Sequence, residues 1–189
     1  MTPNDGECIV RLFHTFTSTK GVPRLPPRFC LPTSFIFYET FTMPIFYFAY
    51  GSNMNLDQMA MRCPGAEVGP VARLGGWKYF INGNGYAGIE KDDNSEVIGC
   101  LWTLKDKHWK ALDHYEGVAG GYYERMEMDL ELLGEQSTVR CWVYLSCNYE
   151  YGVPAARYQQ VVVEGARQVG LPADYLPILE SWAHGCPQK

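Results

Sequence analysis

No two cysteines in this chain stand at the close spacing that zinc sites use. The seven present (Cys8, Cys30, Cys63, Cys100, Cys141, Cys147 and Cys186) are odd in number and scattered, a pattern that fits reduced thiols in a cytoplasmic protein. No apolar run approaches the roughly 18–20 residues needed to span a membrane as a helix. Basic residues are not in excess either: the net charge is −5, which leaves no electrostatic footprint for nucleic acid. His108 and His114 stand six apart rather than the three or four that would align them on one helix face, so no metal centre is expected. Cys63 precedes Pro-Gly at a helix end, not at an electropositive helix start, which disfavours a catalytic thiol. The acidic group Asp92, Asp93 and Glu96 lacks the ligand spacing of a calcium loop and reads as a solvated hairpin tip.

What is present divides in two. Residues 1–42 carry prolines at 3, 23, 26, 27 and 32, four basic and three acidic side chains, and no sustained period of 2 or 3.6. They read as a disordered or spurious extension, with Met43 as the expected natural start. Residues 43–189 hold the other twelve basic and eighteen acidic residues and have the length for one domain with a sizeable core.

Within that second part, residues 45–50 are strand-like. Asn55-Leu-Asp-Gln58 forms an Asn-x-x-Gln capping arrangement for a short helix reaching about Arg62. Residues 68–81 read as a long strand broken near Gly75-Gly76, followed by the turn signal Asn82-Gly-Asn-Gly85. Residues 86–91 and 96–104 read as strands paired around a turn at 92–95. Trp109, Leu112 and Tyr115 fall three apart on one face of a helix over 105–115, with Asp106 as its cap and Gly117 as its stop. Residues 122–133 alternate as a half-buried strand, and 139–147 form another, with Cys100 and Cys141 as core hydrophobes. A helix over 155–169 ends at Gly170; Pro172 can open the last helix and Pro177 can trim or kink it. This order of strands and few helices predicts an α+β domain built on a curved, partly closed sheet.

Two stretches can carry chemistry. At Tyr50-Gly51-Ser52-Asn53 a strand feeds a helix start, exposing backbone N–H groups that favour an anion. Taken alone, it reads as an ordinary strand-to-helix turn. Glu116 falls at or beyond the last turn of the helix over 105–115, where the exposed carbonyls already make the end negative. Apolar neighbours in sequence (Tyr115, Val118, Tyr122, Tyr123) add to this, and both effects raise a carboxyl pKa toward the range of a general acid/base. Taken alone, Glu116 reads as a solvated surface glutamate before a glycine stop.

In combination the order is more specific. FAYGSNM (48–54), GPVARLGGWK (69–78), EVIGCLWTL (96–104), LDHYEGVAGGYY (112–123) and VEGARQVGLPADY (163–175) resemble the γ-glutamylcyclotransferase (AIG2-like) family across residues 43–189. The resemblance implies a compact, mixed, partly closed β-barrel flanked by a few α-helices, and a cofactor-free reaction. In it a γ-glutamyl amide cyclises to 5-oxoproline and releases an amino acid or amine. By motif, it implies Glu116 as acid/base, Tyr50, Gly51, Ser52 and Asn53 as the substrate-binding loop, and Tyr123, Tyr144 and Tyr158 as pocket tyrosines. The glutathione-specific branch usually has Leu after the Gly-Ser, where this chain has Asn53. The expected partner is a small γ-glutamyl molecule, without nucleic acid, membrane or metal, in a monomer or homodimer. A γ-glutamylamine substrate, or a non-catalytic binding module on the same fold, are the alternatives. Peptide mapping of the native protein tests the expected start at Met43: a recovered peptide spanning residues 42 and 43 would exclude it.

Overall fold

The computed structural model describes residues 45–185. The expectations for residues 1–42, for Met43 and for Cys8, Cys30 and Cys186 lie outside the described residues. Five strands close into a barrel: β1 (Ile45–Ala49), β2 (Glu67–Ile81), β3 (Ala87–Leu104), β4 (Tyr123–Leu132) and β5 (Thr138–Ser146). Their spatial order is β1-β3-β2-β4-β5, and β5 closes against β1. The β1–β5 pairing is parallel (Tyr47 opposite Trp142, Phe48 opposite Val143) and the other four are antiparallel, so the sheet is mixed. Full closure removes the exposed sheet edges that an open sheet would leave. Phe48, Phe80, Ile89, Leu101 and Val143 pack the core without exposure, and Cys100 and Cys141 are buried among them.

Gly99 decides how close β1 comes to β3. A Cβ there would lie 2.2 Å from the Ala49 carbonyl oxygen, so only glycine permits this approach. The break foreseen at Gly75-Gly76 is a bulge: Gly76 has φ +76, and the pairing with β3 jumps from Gly75–Glu96 to Trp77–Lys91.

That jump corrects the hairpin expected around residues 92–95. Residues 87–91 and 96–104 belong to one long strand and do not pair with each other. Both halves pair with β2, because β2 runs past both and offers them one continuous edge, while the surplus residues 92–95 loop out opposite Gly76.

Four helices lie around the barrel: α1 (Leu56–Arg62), α2 (Asp106–Tyr115), α3 (Tyr158–Gln168) and α4 (Leu176–Glu180). Asn55 caps α1 by accepting the Gln58 N–H at 3.0 Å. The reciprocal half of that box is not formed. The Asn55 N–H is taken by the Ser52 carbonyl, and the Gln58 Oε1 is left buried without a partner. Asp106 is the first helical residue of α2 rather than its cap, which is Lys105. On α2, Leu112 is buried and Trp109 half-buried, but Tyr115 is exposed, because the last turn runs off the barrel. Alternation in β4 holds only toward its end, where Leu130 is buried; at its start Tyr123 points inward and Tyr122 outward. Helix α3 begins three residues later than expected, and Pro177, not Pro172, stands in the first turn of α4.

His108 is buried and fully engaged. Its Nδ1 accepts the Lys105 N–H at 3.2 Å, and its Nε2 is 3.2 Å from the Pro64 carbonyl, tying the end of α1 to the start of α2. Helix α3 buries Val162, Val163 and Ala166 and packs on the turn Ser52–Met54 through Gly165, where a Cβ would stand 2.4 Å from the Asn55 nitrogen. Alanine gains about 1 kcal/mol of helix propensity over glycine. Overpacking costs about 1–3 kcal/mol, and here the obstructing atom is backbone. Gly165→Ala is therefore expected to lower the urea midpoint at unchanged slope, and an unchanged or raised midpoint would refute this packing argument.

Candidate functional site

At the end of β1 the chain leaves the barrel at Tyr50, turns at Gly51 and makes one 3-10 turn, Ser52–Met54, before Asn55 opens α1. Two bonds hold this loop in place. The Met54 N–H donates to the Gly51 carbonyl at 3.0 Å, and the Trp102 indole N–H from β3 donates to the Asn53 carbonyl at 3.0 Å. Glu116 arrives from the opposite side as the C-cap of α2, its N–H donating to the Leu112 carbonyl at 2.8 Å. Gly117, at φ +64, then turns the chain away; a Cβ there would lie 2.8 Å from the Tyr122 ring.

The two segments meet at the Asn53 amide, which is 3% exposed. Its Nδ2 donates to Glu116 Oε1 at 2.7 Å and to the Tyr47 hydroxyl at 2.7 Å. Its Oδ1 accepts from Arg62 Nη1, which also reaches Ser52 Oγ at 3.3 Å. All the amide's hydrogens are used, and this network sets which way the amide faces.

Burial pushes the Glu116 carboxyl up to about 7, while the Arg62 charge and the Asn53 hydrogen bond draw it back down. The direction matches the expectation from sequence, and so does burial as a cause. Of the sequence neighbours, Tyr123 is buried and lines the cavity with Glu116, whereas Tyr115 and Tyr122 are exposed and the other side chains around the carboxyl come from distant segments.

Every residue singled out for the site lines one small cavity of about 30 Å³: Tyr50, Gly51, Ser52, Asn53, Glu116, Tyr123, Tyr144 and Tyr158. Tyr47 and Ala87 complete its wall. The tyrosines do different work. Tyr50 donates to the Tyr144 carbonyl at 2.5 Å, Tyr144 donates to Asp113 at 2.7 Å, and Tyr123 donates to the Ala87 carbonyl at 2.7 Å. Their hydroxyl protons are spent on the scaffold. Tyr158 instead accepts the Ala87 N–H at 3.1 Å and lies beside the Ser52 N–H and hydroxyl. Tyr47 accepts from Asn53. Both keep an O–H proton for a ligand. Burial pushes Tyr158 up to about 12 and lifts Tyr47, Tyr50, Tyr123 and Tyr144 well above the usual phenol range. Among the groups lining this cavity, Glu116 is the one that titrates near neutrality.

The missing Cβ of Gly51 leaves room for the protein itself, since that atom would stand 3.1 Å from both the Tyr158 hydroxyl and the Ala87 Cβ. A neighbouring cleft of about 650 Å³ shares Ser52, Glu116, Tyr123 and Tyr158 with the inner cavity, giving Glu116 a face toward solvent.

Sequence reasoning missed Arg62 and Tyr47. Arg62 was legible only as a helix-ending base, and that it turns back to Asn53 depends on the course of α1. Tyr47 lies in an aromatic run whose two faces are both buried, so periodicity could not mark it. No helix among the described residues is long and apolar enough to cross a membrane.

Comparison with known proteins bears on the same residues. The family model for AIG2-like proteins matches residues 96–179, a stretch that includes Glu116, Tyr123, Tyr144 and Tyr158. The chain is 32% identical over 139 residues to the human protein named gamma-glutamylcyclotransferase, covering 68% of this chain and 73% of the relative. The mouse protein of that name is 33% identical over the same length and shares. A solved structure titled gamma-glutamyl cyclotransferase superposes with a TM-score of 0.69 at 30% identity, covering 77% of this chain and 89% of the other. With its barrel order matched in space and two thirds of its length matched in sequence, this chain belongs to the γ-glutamylcyclotransferase family.

Proposed function

We propose that this protein cyclises a γ-glutamyl amide to 5-oxoproline and releases the attached amino acid or amine, with Glu116 as general acid/base. One observation carries the reading: a buried carboxyl poised near pH 7, held by Asn53 and Arg62 where the inner cavity meets the cleft.

The chemistry asks little else of the protein. The substrate supplies its own nucleophile, the α-amine, which reaches the γ-carbonyl by closing a five-membered ring; holding that folded conformation gives the rate advantage of an intramolecular reaction. The amine is an ammonium at neutral pH, and the Glu116 carboxylate removes one proton from it. Attack forms the ring C–N bond and places negative charge on the γ-oxygen. The protonated Glu116 then gives its proton to the leaving nitrogen as the exocyclic C–N bond breaks, and the regenerated carboxylate takes the second proton of the ring nitrogen and passes it to the released amine, which departs as an ammonium. The γ-glutamyl group lies at the junction of cavity and cleft, since about 30 Å³ holds little more than a water molecule. There the Tyr158 hydroxyl, backed by the Ala87 N–H and by Ser52, donates its remaining proton to a substrate oxygen. No cofactor is invoked.

Full-length protein incubated with γ-glutamyl-alanine, glutathione and γ-glutamyl-lysine is expected to release 5-oxoproline from at least one. Release from none would remove the cyclotransferase reading. Glu116→Gln, which preserves an oxygen for Asn53, is expected to lose at least about 100-fold in kcat at an unchanged circular dichroism spectrum. Activity within a few-fold of the parent would strip Glu116 of its role.

The pH dependence follows from the same carboxyl. The base form is the active one, so kcat/KM is expected to rise with pH through about 7 and then level. Arg62 favours the charged carboxylate, so Arg62→Gln is expected to move that inflection to higher pH. An inflection that stays put or falls would break the link between the two groups.

A further inference from the structure

The cleft beside Glu116 is large for the γ-glutamyl group alone; its volume of about 650 Å³ is within the range of complete small-molecule sites, roughly 300–1,000 Å³. On the reading above, the γ-glutamyl half is consumed at Glu116, so the cleft takes the leaving group.

Its walls are unusual for a solvent-facing surface. On the α3 side the Tyr86 ring stands edge-to-face on Tyr158, with centroids 5.1 Å apart. On the α2 side the Arg62 guanidinium lies 4.9 Å above the Tyr115 ring, and Tyr122 follows on the next turn of chain. Tyr86, Tyr115 and Tyr122 are 45%, 56% and 56% exposed around one cleft. Large rings gathered in the open mark a binding surface more often than an accident of packing.

The charges point the same way. Glu116 is the one carboxylate lining the cleft, against Arg62 and Arg157. Arg62 is engaged with Asn53 and Ser52. Arg157 makes no side-chain hydrogen bond or ion pair among the described residues, and its carbonyl accepts the Val161 N–H at 3.2 Å. It is also the one non-glycine of these residues in the left-handed region, at φ 63, and it caps the N-terminus of α3, where a positive charge is unfavourable. The exposed Arg157 guanidinium has no charged partner among the described residues, and an anion in the cleft would give it one. An anion at that helix start would also meet a favourable dipole.

We propose that this cleft selects γ-glutamyl dipeptides whose leaving amino acid carries a free carboxylate and an aromatic side chain. Arg157 holds the carboxylate, and Tyr86, Tyr115 and Tyr122 hold the ring. A leaving group with a free ammonium, as in γ-glutamyl-lysine, meets two arginines and is disfavoured.

The test compares kcat/KM for γ-glutamyl-phenylalanine, γ-glutamyl-alanine and γ-glutamyl-phenethylamide, which keeps the ring but has no carboxylate. The phenylalanine compound is expected to exceed each of the others by about tenfold. Arg157→Gln is expected to lose roughly three- to tenfold on both carboxylate substrates and nothing on the phenethylamide, with Arg157→Lys restoring the loss. Tyr122→Ala is expected to lose activity on the two ring-bearing substrates and to spare γ-glutamyl-alanine. Equal turnover of the phenylalanine and phenethylamide compounds, or a uniform loss on all three in Arg157→Gln, would overturn the assignment while leaving cyclisation intact. Absence of 5-oxoproline from all three in the parent protein would instead overturn the cyclotransferase reading, and this one with it.

Discussion

The Asn53 amide is the point on which the site depends. It stands between a carboxyl and a guanidinium, donating to Glu116 and accepting from Arg62, and its second N–H goes to Tyr47. A hydrogen bond to a charged group contributes about 1.5–3 kcal/mol, more than a neutral one, and rewards the ionised form of Glu116. Burial works against it: a carboxyl raised from 4.5 to about 7 holds its charged form at a cost of about 3 kcal/mol. Burial outweighs the opposing pull of Arg62 and Asn53 by that margin, which leaves the group near neutrality, where proton uptake and release are both accessible.

That balance needs three segments that lie far apart in the chain: the end of β1, the end of α1 and the C-cap of α2. The barrel supplies the rigidity. Gly99 lets β1 lie close against β3, so that Trp102 can reach the Asn53 carbonyl. His108 joins the end of α1 to the start of α2, which sets Arg62 and Glu116 in a fixed relation. Gly165 lets α3 press on the loop, and the helix delivers Tyr158 to the same place. Five tyrosine hydroxyls around the carboxyl are kept in their acid forms by burial, so that Glu116 is the one group of this cavity left near neutrality.

Much of the fold was legible because local chemistry agreed with the tertiary answer. The Asn55 cap, the Gly117 and Gly170 helix stops and the bulge at Gly76 each satisfy a backbone requirement that few other residues meet. The hairpin expected at residues 92–95 failed for the opposite reason. Asp92-Asp-Asn-Ser95 is good turn chemistry, and its Asn94 N–H does bond Asp92 Oδ1 at 3.1 Å, but β2 was long enough to pair both flanks and turned the segment into a bulge. Pro172 likewise suits a helix start, yet α4 begins around Pro177.

For the site itself, the sequence by itself determined which residues could act: a glycine-containing loop at a strand end, a glutamate at a helix end, and the spaced motifs that together resemble one family. These are matters of residue type and order, which propensity and spacing report directly. Only the tertiary structure decided why Glu116 titrates near neutrality, that Arg62 restrains it, and that Tyr123 and Tyr144 spend their hydroxyl protons on the scaffold while Tyr158 keeps its own. Burial and hydrogen-bond partnership belong to surfaces assembled from several strands and helices, and no window along the chain contains them.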